Sequence, residues 1–535
     1  MPQRPFSLPL DSNIFNVAAK VMPAENLAKI IGVKMTKAVF TLMFIIAVAV
    51  AGTGIAQAQE KLGSGRDMPV EKGGPYDRVY YPENAPASGD GAAFPQAWLY
   101  AYGNTERNAA THKIPKNAPA WVKDGVSWQF AEARAWPLAN KPYASDAIGE
   151  ASGDTTATQW MGNALGVTAV DGIIYAQSDD QFVYALNART GKLIWRTSPV
   201  GSTFMGQPLV QGNIVYVNAG TVGFNFSNTQ AFAKTGSAIR GAGVEFNGIY
   251  ALDRHTGELL WHFDTKGDAM PTPAISDGRL IFSTGTGEVF ALDPKSGEQL
   301  WVNKLGGMGN MSSPAVYKGK VYVGMAVPAF LFCLDAKTGK TLWKGQIPQA
   351  INTGMGDVSP AVSDGIVITD AVSAKKTVNG KVSMDVSVRA FDSETGKPLW
   401  THLMGRGSKP PAFKGGVPMI HDGTVYVGAP VKSIYQALNL KTGKLLWTWT
   451  VPEQSPAGAA RGPASFYDGT LYISTVSTVY AVNPKTGILV GKKHIGGRFG
   501  IVSPTIVGGT IYLGNSWDWI IALPISEVNP NYHPG

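Results

Sequence analysis

Short runs of alternating apolar and polar residues, bounded by glycine turns, fill most of the chain. One unit begins at residues 313–317 (Ser-Pro-Ala-Val-Tyr), turns at a Lys-Gly pair and continues as Val-Tyr-Val. It resumes at residues 331–335 (Leu-Phe-Cys-Leu-Asp), followed by a Thr-Gly turn and a Leu-Trp run. Period-two alternation with such turns is typical of antiparallel β-hairpins. The pattern therefore predicts a chain built of four-stranded antiparallel sheets.

The end of each unit is a repeat that occurs seven times: Asp or Asn, two residues, Thr or Ser, Gly, and Trp four residues later. Its copies begin at Asn187, Asp253, Asp293, Asp335, Asp392, Asn439 and Asn483, and in the last copy Gly491 stands in the place of Trp. Repeats of this length, with four strands each, indicate the blades of a β-propeller. Glycine permits positive φ at the turn and Trp packs between blades, so we assign these residues to the scaffold.

Eight inner strands are predicted, starting at Val167, Pro208, Pro273, Pro314, Pro360, Pro418, Pro463 and Pro504. The eighth unit ends at residues 519–523 with no Trp strand after it. We expect residues 126–130 (Val-Ser-Trp-Gln-Phe) to supply that outer strand, which removes an exposed sheet edge. The prediction is an all-β, eight-bladed propeller of four-stranded antiparallel blades over residues 126–525, closed by an N-terminal strand. An N-terminal segment (59–125) precedes it and a C-terminal tail (526–535) follows.

The repeat resembles that of the quinoprotein dehydrogenases and their relatives. The segment ahead of the propeller resembles theirs too, through Trp98, the Tyr-Gly-Asn run at 102–104, Asn108 and Trp128. The resemblance covers residues 98 to about 525 and implies the propeller fold. It does not choose a function, because this scaffold hosts dehydrogenases, assembly factors and hydrolases.

The N-terminus (residues 1–58) is predicted to be an extension that contains a secretory signal over residues 35–58. Lys34 and Lys37 flank an apolar stretch over residues 38–51, and Ala-Gln-Ala at 56–58 is typical of a cleavage site. Met35 is a candidate start, and a membrane-anchored N-terminus is the alternative. We expect a mature protein that begins near Gln59, has no integral membrane span, and is periplasmic or secreted, either free or attached to the outer membrane.

Composition narrows the classes of partner. The 46 Lys and Arg against 38 Asp and Glu give a net charge of +8, but they are dispersed and form no basic block. This argues against nucleic-acid binding and suits a small anionic ligand. Cys333 is the one cysteine, which excludes an internal disulfide, a Cys-x-x-Cys-His haem site and a cysteine zinc cluster. No metal or cofactor is expected.

One candidate catalytic residue emerges when the blades are compared. The residue three before each inner-strand start is Ala164, Met205, Met270, Met311, Asp357, Gly415, Ala460 or Ile501. Asp357 is the only acid in this set, in a glycine-containing stretch. An acid among apolar groups has a raised pKa, which suits a general acid or base. The alternative is that Asp357 caps backbone amides of its loop.

Three basic residues are expected near the same propeller face. Arg461 lies two residues before Pro463, Lys414 four before Pro418 and Arg498 six before Pro504. Together they would suit a dianion, although each one alone reads equally well as a surface charge. Residues 221–247 and 371–387 are predicted to be long loops on this face, of the kind that form lids, binding loops or oligomer contacts.

Cys333 takes the place that alanine holds in the other copies, which favours a core position on a third strand. Against this, Cys333 follows a predicted loop at 326–330, which would bring it near the face of Asp357. Both interpretations stay open.

The chain resembles most closely the tetrathionate hydrolases of acidophilic sulfur-oxidising bacteria, which are secreted quinoprotein-type propellers that do not use the quinone. In that family an aspartate and a cysteine 24 residues before it are implicated in catalysis, and Asp357 and Cys333 have that separation. The resemblance implies hydrolysis of tetrathionate to thiosulfate, sulfur and sulfate in acid, and a homodimer. A quinone-dependent (PQQ) dehydrogenase is the first alternative, disfavoured because the chain has no adjacent cysteines. A non-catalytic scaffold for envelope protein assembly is the second.

Overall fold

The computed structural model describes residues 79–80, 103–110, 118–130, 166–177, 183–197, 206–219, 247–265, 269–307, 309, 312–350, 358–408, 415–453, 459–501, 503–515 and 519–534. All of them belong to one compact unit, Leu62–Gly535. Eight antiparallel β-sheets follow one another along it and form the blades of a propeller. The predicted fold class is confirmed.

The first four blades are numbered here in chain order. Blade 1 contains β3 (Val167–Val170), β4 (Ile173–Gln177), β5 (Val183–Asn187) and β6 (Leu193–Thr197). Blade 2 contains β7 (Leu209–Gln211), β8 (Ile214–Ala219), β9 (Asn247–Asp253) and β10 (Leu259–Thr265). Blade 3 contains β11 (Ala274–Ser276), β12 (Arg279–Ser283), β13 (Glu288–Leu292) and β14 (Gln299–Lys304). Blade 4 contains β15 (Ala315–Tyr317), β16 (Lys320–Ala326), β17 (Ala329–Asp335) and β18 (Thr341–Gln346).

The last four blades complete the ring. Blade 5 contains β19 (Ala361–Ser363), β20 (Ile366–Val378), β21 (Lys381–Asp392) and β22 (Pro398–Ser408). Blade 6 contains β23 (Met419–His421), β24 (Thr424–Ala429), β25 (Ile434–Asn439) and β26 (Leu445–Thr450). Blade 7 contains β27 (Ser465–Tyr467), β28 (Thr470–Val482) and β29 (Leu489–Phe499), and the long β28 supplies both the second and the third strand. Blade 8 contains β30 (Thr505–Val507), β31 (Thr510–Gly514) and β32 (Ile520–Pro524).

The outer strand of blade 8 comes from the N-terminal side of the chain. Strand β2 (Trp128–Phe130) pairs antiparallel with β32, with Trp128 opposite Ala522. A short helix, α1 (Ala120–Asp124), precedes it. A further strand that the sequence did not predict, β1 (Val79–Tyr80), pairs with β6 and gives blade 1 a fifth strand. The ring is therefore closed by pairing between the two ends of the propeller sequence.

Each repeat tryptophan joins its blade to the next one. Trp343 Nε1 donates to the Ser393 carbonyl at 3.1 Å, and a Cβ added to Gly396 would collide with the Trp343 ring. Gly396 has φ 70°, so the turn needs glycine both for its backbone conformation and for the approach of the indole. The same pairing joins Trp128 of blade 8 to Gly191 of blade 1. The scaffold role of these residues is confirmed.

The C-terminal residues fill the place left by the missing seventh tryptophan. A Cβ on Gly491 would meet the Val528 carbonyl oxygen. Val528 follows a 3-10 helix (Ile525–Glu527) and is buried with Tyr532 in one cluster with Tyr467 of blade 7. The predicted tail at 526–535 therefore packs onto blade 7 through Val528 and Tyr532, while most of its other described residues are exposed.

Two of the predicted loops are hairpins. Residues 371–387 continue β20 and β21, which turn at Asn379 and Gly380. Residues 326–330 form a tight turn, in which Ala326 pairs with Ala329. The prediction of a long loop at 371–387 was wrong because polar residues at a hairpin tip resemble a loop when strand pairing is not known. The loop predicted at 326–330 is present as the turn between β16 and β17. The loop predicted at 221–247 lies outside the described residues except for Asn247.

Candidate functional site

The segments that lead into the inner strands, here called leading loops, are tied to one another around the axis. Between successive blades, a backbone N–H donates to the hydroxyl of the following blade's loop. The bonds run from Gln207 to Thr272 (2.8 Å), from Thr272 to Ser313 (3.1 Å) and from Ser313 to Ser359 (2.9 Å). All three hydroxyl-bearing residues directly precede an inner-strand proline and are buried. These bonds link the leading loops of blades 2 to 5 to one another. The side of the propeller formed by the leading loops of all the blades is here called the axial face.

An N-terminal segment, residues 103–110, crosses the inner strands. Its oxygens accept backbone N–H groups from the middle residue of four of those strands. The bonds run from Val316 to the Thr105 carbonyl (2.7 Å), from Val362 to that of Glu106 (3.0 Å), from Phe466 to that of Ala109 (2.7 Å) and from Ile420 to Asn108 Oδ1 (2.9 Å). The inner edges of blades 4 to 7 are therefore covered by this one segment.

Of the two charged residues in this segment, Glu106 and Arg107, Arg107 is the more buried. It is fully buried, and its Nε donates to the Pro314 carbonyl at 2.8 Å. Its Nη2 reaches the carbonyls of Thr272 and Pro273 at 3.3 and 3.2 Å. These carbonyls lie in the leading loops, so a guanidinium sits against the axial face. Arg107 is not among the residues predicted from the sequence, although it lies beside Asn108, within the segment that carries the family resemblance.

The strand register corrects one position in the blade comparison. Tyr467 pairs with Thr470 in blade 7, as His421 pairs with Thr424 in blade 6. Ala464, and not Pro463, is therefore the equivalent of Pro418. The residue three before it is Arg461, where the sequence comparison had placed Ala460. Arg461 thus occupies in blade 7 the ring position that Asp357 occupies in blade 5.

Arg461 is 5% exposed, and its backbone carbonyl accepts the Val417 N–H at 2.9 Å. Arg461 is therefore packed within the leading loop of blade 7. The alternative of a solvent-exposed surface charge does not apply to it. Asp357 and Lys414 lie outside the described residues, and so does the side chain of Arg498, whose backbone belongs to β29. Their predicted roles stay predictions.

Cys333 lies in the body of blade 4. It pairs with Tyr322 on β16 and with Trp343 on β18, and its side chain is fully buried. Burial raises the pKa of its thiol to about 12, and the charge of Lys320 lowers it only in part. Because residues 326–330 are a tight turn, Cys333 lies four residues along β17, level with Ala315 on the inner strand. This environment is that of a packed core position, one of the two interpretations the sequence left open.

A second acid that the sequence analysis missed is Asp370 on β20. It is fully buried, and its pKa is raised well above the usual value by burial, partly offset by the N–H of Gly416. The signal was present in the sequence, since residues 366–372 are apolar apart from Thr369 and this acid. Within the described ranges, no group of three or more His, Cys, Asp or Glu residues is placed to hold a metal ion.

The comparisons with known proteins agree with this architecture. The model of a PQQ-like repeat family, described as outer membrane protein assembly factor BamB, matches residues 133–238, 224–327, 245–370 and 311–527. The tetrathionate hydrolase of Acidithiobacillus ferrooxidans is 53% identical over 463 residues, which are 86% of this chain and 92% of that protein. The chain belongs to the tetrathionate hydrolase family.

A second member of the tetrathionate hydrolase family, from Acidianus ambivalens, is 35% identical over 85% of this chain and 88% of its own length. Among solved structures, BamB from Moraxella catarrhalis matches with a TM-score of 0.50 at 17% identity, over 68% of this chain and 96% of that one. At that identity the likeness concerns the fold alone, and it agrees with the propeller described above.

Proposed function

We propose that this chain hydrolyses tetrathionate to thiosulfate, sulfur and sulfate. The proposal is carried by the 53% identity, over 86% of the chain, to a protein that bears the name tetrathionate hydrolase. One tetrathionate dianion and one water give thiosulfate, sulfur, sulfate and two protons, so atoms and charge balance without an oxidant or a reductant. The chemistry required is a cleavage of the S–S chain with delivery and removal of protons.

The dianion needs positive charge at its binding site, and the axial face carries it. The buried guanidinium of Arg107, from the N-terminal segment, donates to carbonyls where blades 3 and 4 begin, and the buried Arg461 belongs to the leading loop of blade 7. A cation in a low-dielectric setting attracts an anion more strongly than one in water. In this proposal Arg461 contacts the substrate, Arg107 adds positive potential beneath it, and Lys414 and Arg498 complete the anion site.

Asp357 is proposed as the acid and base. It directly precedes Val358 and Ser359, which enter blade 5 at the axial face. In acid its neutral form does not repel the dianion and can protonate the departing sulfur group. Ionised, it can accept a proton from the attacking water. Both steps need one carboxyl group on the same side of the ring as the cations.

The proposed setting is an acidic periplasm or exterior, reached through the signal at residues 35–58, with the chain acting as a homodimer. The charged residues are only 16% of the chain, which supports the acidic setting. Among the described residues no helix has the length and apolarity of a membrane span. A quinone-dependent dehydrogenase has less support. The chain lacks adjacent cysteines, and the two relatives described above, which match over about 85% of the chain, are named tetrathionate hydrolase.

The replacement Asp357→Asn tests the acid–base assignment. Asparagine keeps the shape of the side chain but neither releases nor takes up a proton at these pH values, so thiosulfate release should fall at least about a hundredfold. The matched control is Asp364→Asn, which changes an exposed turn residue of the same blade and should leave turnover unchanged. Unaltered β-sheet circular dichroism in both variants shows that they are folded. Full activity of Asp357→Asn would remove Asp357 from the mechanism.

A further inference from the structure

Asp370 interrupts an apolar row at the boundary between blades 5 and 6. On β20, the side chains of Ile366, Ile368 and Val372 pack in one cluster with Val427 of blade 6. Alternate residues of a strand share a face, so Asp370 points to the same boundary. Its side chain has no exposed surface. A carboxyl group has therefore been placed inside an apolar interface between blades.

One carboxyl oxygen has a partner and the other has none. Asp370 Oδ2 accepts the backbone N–H of Gly416 at 2.9 Å, whereas Oδ1 has no hydrogen-bond partner among the described residues. A Cβ on Gly415 would collide with Oδ1, so the glycine lets the leading loop of blade 6 approach the carboxyl. Asp370 thus ties blade 5 to the leading loop of blade 6.

In other blades the side chain at the same strand position also bonds to the next leading loop, but it is a neutral side chain, here called a tether. Counted from the pairing of the first and second strands, the equivalents of Asp370 include Asn218 in blade 2 and Ser283 in blade 3. Asn218 Nδ2 donates to the Met270 carbonyl, and Ser283 Oγ to that of Ser312 at 3.4 Å. Both acceptors lie in the leading loop of the following blade. Asp370 also makes a hydrogen bond to the leading loop of the following blade, but as an acceptor and with an ionisable group.

The boundary at which Asp370 lies is also where the hydroxyl bonds between leading loops end. The last of them joins Ser313 to Ser359. The next position is Val417, which has no hydroxyl, so no bond of this type can tie blade 5 to blade 6. The bond from Gly416 to Asp370 crosses that boundary instead.

We propose that Asp370 is a positioning residue of the axial site, which holds the leading loop of blade 6 in place while it is protonated and releases it when it ionises. An anion in this apolar boundary would have one oxygen without a donor, and its desolvation is relieved only if the loop moves to admit water. Lys414 directly precedes Gly415 in the chain, so the release also affects a residue of the proposed anion site. In this respect the inference rests on the proposed function.

The direction of the effect follows from proton binding. The pKa of Asp370 is raised by burial, so the folded chain holds a proton that the unfolded chain gives up at lower pH. The stability that depends on the neutral carboxyl is complete below the unfolded pKa of about 4, and it is lost as the pH rises through the folded pKa. The axial face is thereby assembled in acid and loosened toward neutral pH.

Several other titratable groups on the adjoining strands have partners of their own. Arg389 on β21 donates to the Pro348 carbonyl at 3.4 Å. Asp385 on β21 pairs with Arg406 at 2.6 Å, and His402 on β22 contacts Gln436 at 3.0 Å. His421 on β23 lies 3.3 Å from Asp422 and stacks on Phe466. Among described residues, none of these contributes to the shift of Asp370, whose causes are burial and the Gly416 N–H.

The test is unfolding by urea across a pH series, with the full chain and the variant Asp370→Asn. Asparagine keeps an acceptor for the Gly416 N–H and does not ionise. Relative to the variant, the unfolding constant of the wild type should rise about tenfold for each pH unit between the unfolded and the folded pKa of Asp370. The ratio of variant to wild-type turnover of tetrathionate should rise over the same pH interval.

The matched control is Ser283→Ala, which removes a neutral tether at the equivalent position of blade 3. It should raise the unfolding constant by the same factor at every pH. If Asp370→Asn does not fold, Asp370→Ser takes its place, because serine also offers Gly416 an acceptor. The proposal would be overturned if the ratio of the unfolding constants of the wild type and the folded variant stayed the same at every pH. Unfolding needs no substrate, so this result stands even if the chain does not hydrolyse tetrathionate.

Discussion

At the scale of single residues, burial decides the protonation states of Cys333 and Asp370. Both are fully buried, and desolvation raises the pKa of each, so burial favours the neutral thiol and the neutral carboxyl. For Asp370 we propose that the neutral form keeps the leading loop of blade 6 in place, because it needs no water inside the apolar boundary. For Cys333 it opposes nucleophilic chemistry, which needs the thiolate. The same physical effect therefore favours a role for one residue and disfavours it for the other.

The replacement Cys333→Ala measures which role Cys333 has. Alanine is the residue at this position in the other blades, and the deleted sulfur leaves a small cavity beside Tyr322 and Trp343. We expect the free energy of unfolding to fall by about 1–2 kcal/mol, with turnover per folded molecule unchanged. Urea unfolding and thiosulfate release measure the two quantities. Loss of turnover at unchanged stability would instead establish Cys333 as catalytic.

At the scale of elements, the strands could be predicted wherever they are marked by neighbouring residues in the sequence. The Asp-x-x-Thr-Gly turns and the tryptophans after them gave the blades, since their conformation depends on neighbouring residues. The ring position of Arg461 could not be predicted, because the hydrogen bonds of β27 with β28 set that register and the nearest proline was one residue out. The hairpin at 371–387 was missed for a similar reason, since its pairing is visible only in the sheet.

The replacement Trp128→Ala tests closure of the ring by β2. Trp128 Nε1 donates to the Ala188 carbonyl at 2.9 Å, and its ring covers Gly191 of blade 1. Its loss should lower the free energy of unfolding by about 3 kcal/mol. Trp447→Ala, which removes the same contact between blades 6 and 7, is the matched control. A large effect of the control with none from Trp128→Ala would mean that β2 does not contribute to closure.

At the scale of the whole molecule, the propeller brings distant parts of the chain to one face. Arg107 comes from the N-terminal segment and Arg461 from the loop before blade 7, while the buried Asp370 of blade 5 is bonded to the leading loop of blade 6. Comparison of equivalent positions within the repeat selected Asp357 as a candidate, and that role stays a prediction. The comparison could not find Arg107, which lies outside the repeat and reaches the axial face only through the fold. The scaffold was thus more predictable than the positions of the candidate site residues.

The central claim is that this chain cleaves tetrathionate with its own residues. The most direct measurement is thiosulfate release when the purified wild-type chain is incubated with tetrathionate in acidic buffer, with no quinone, metal or electron acceptor added. We predict sustained release of one thiosulfate and one sulfate for each tetrathionate consumed. No release under these conditions, with turnover appearing only after addition of a quinone and an electron acceptor, would contradict the claim and favour a dehydrogenase.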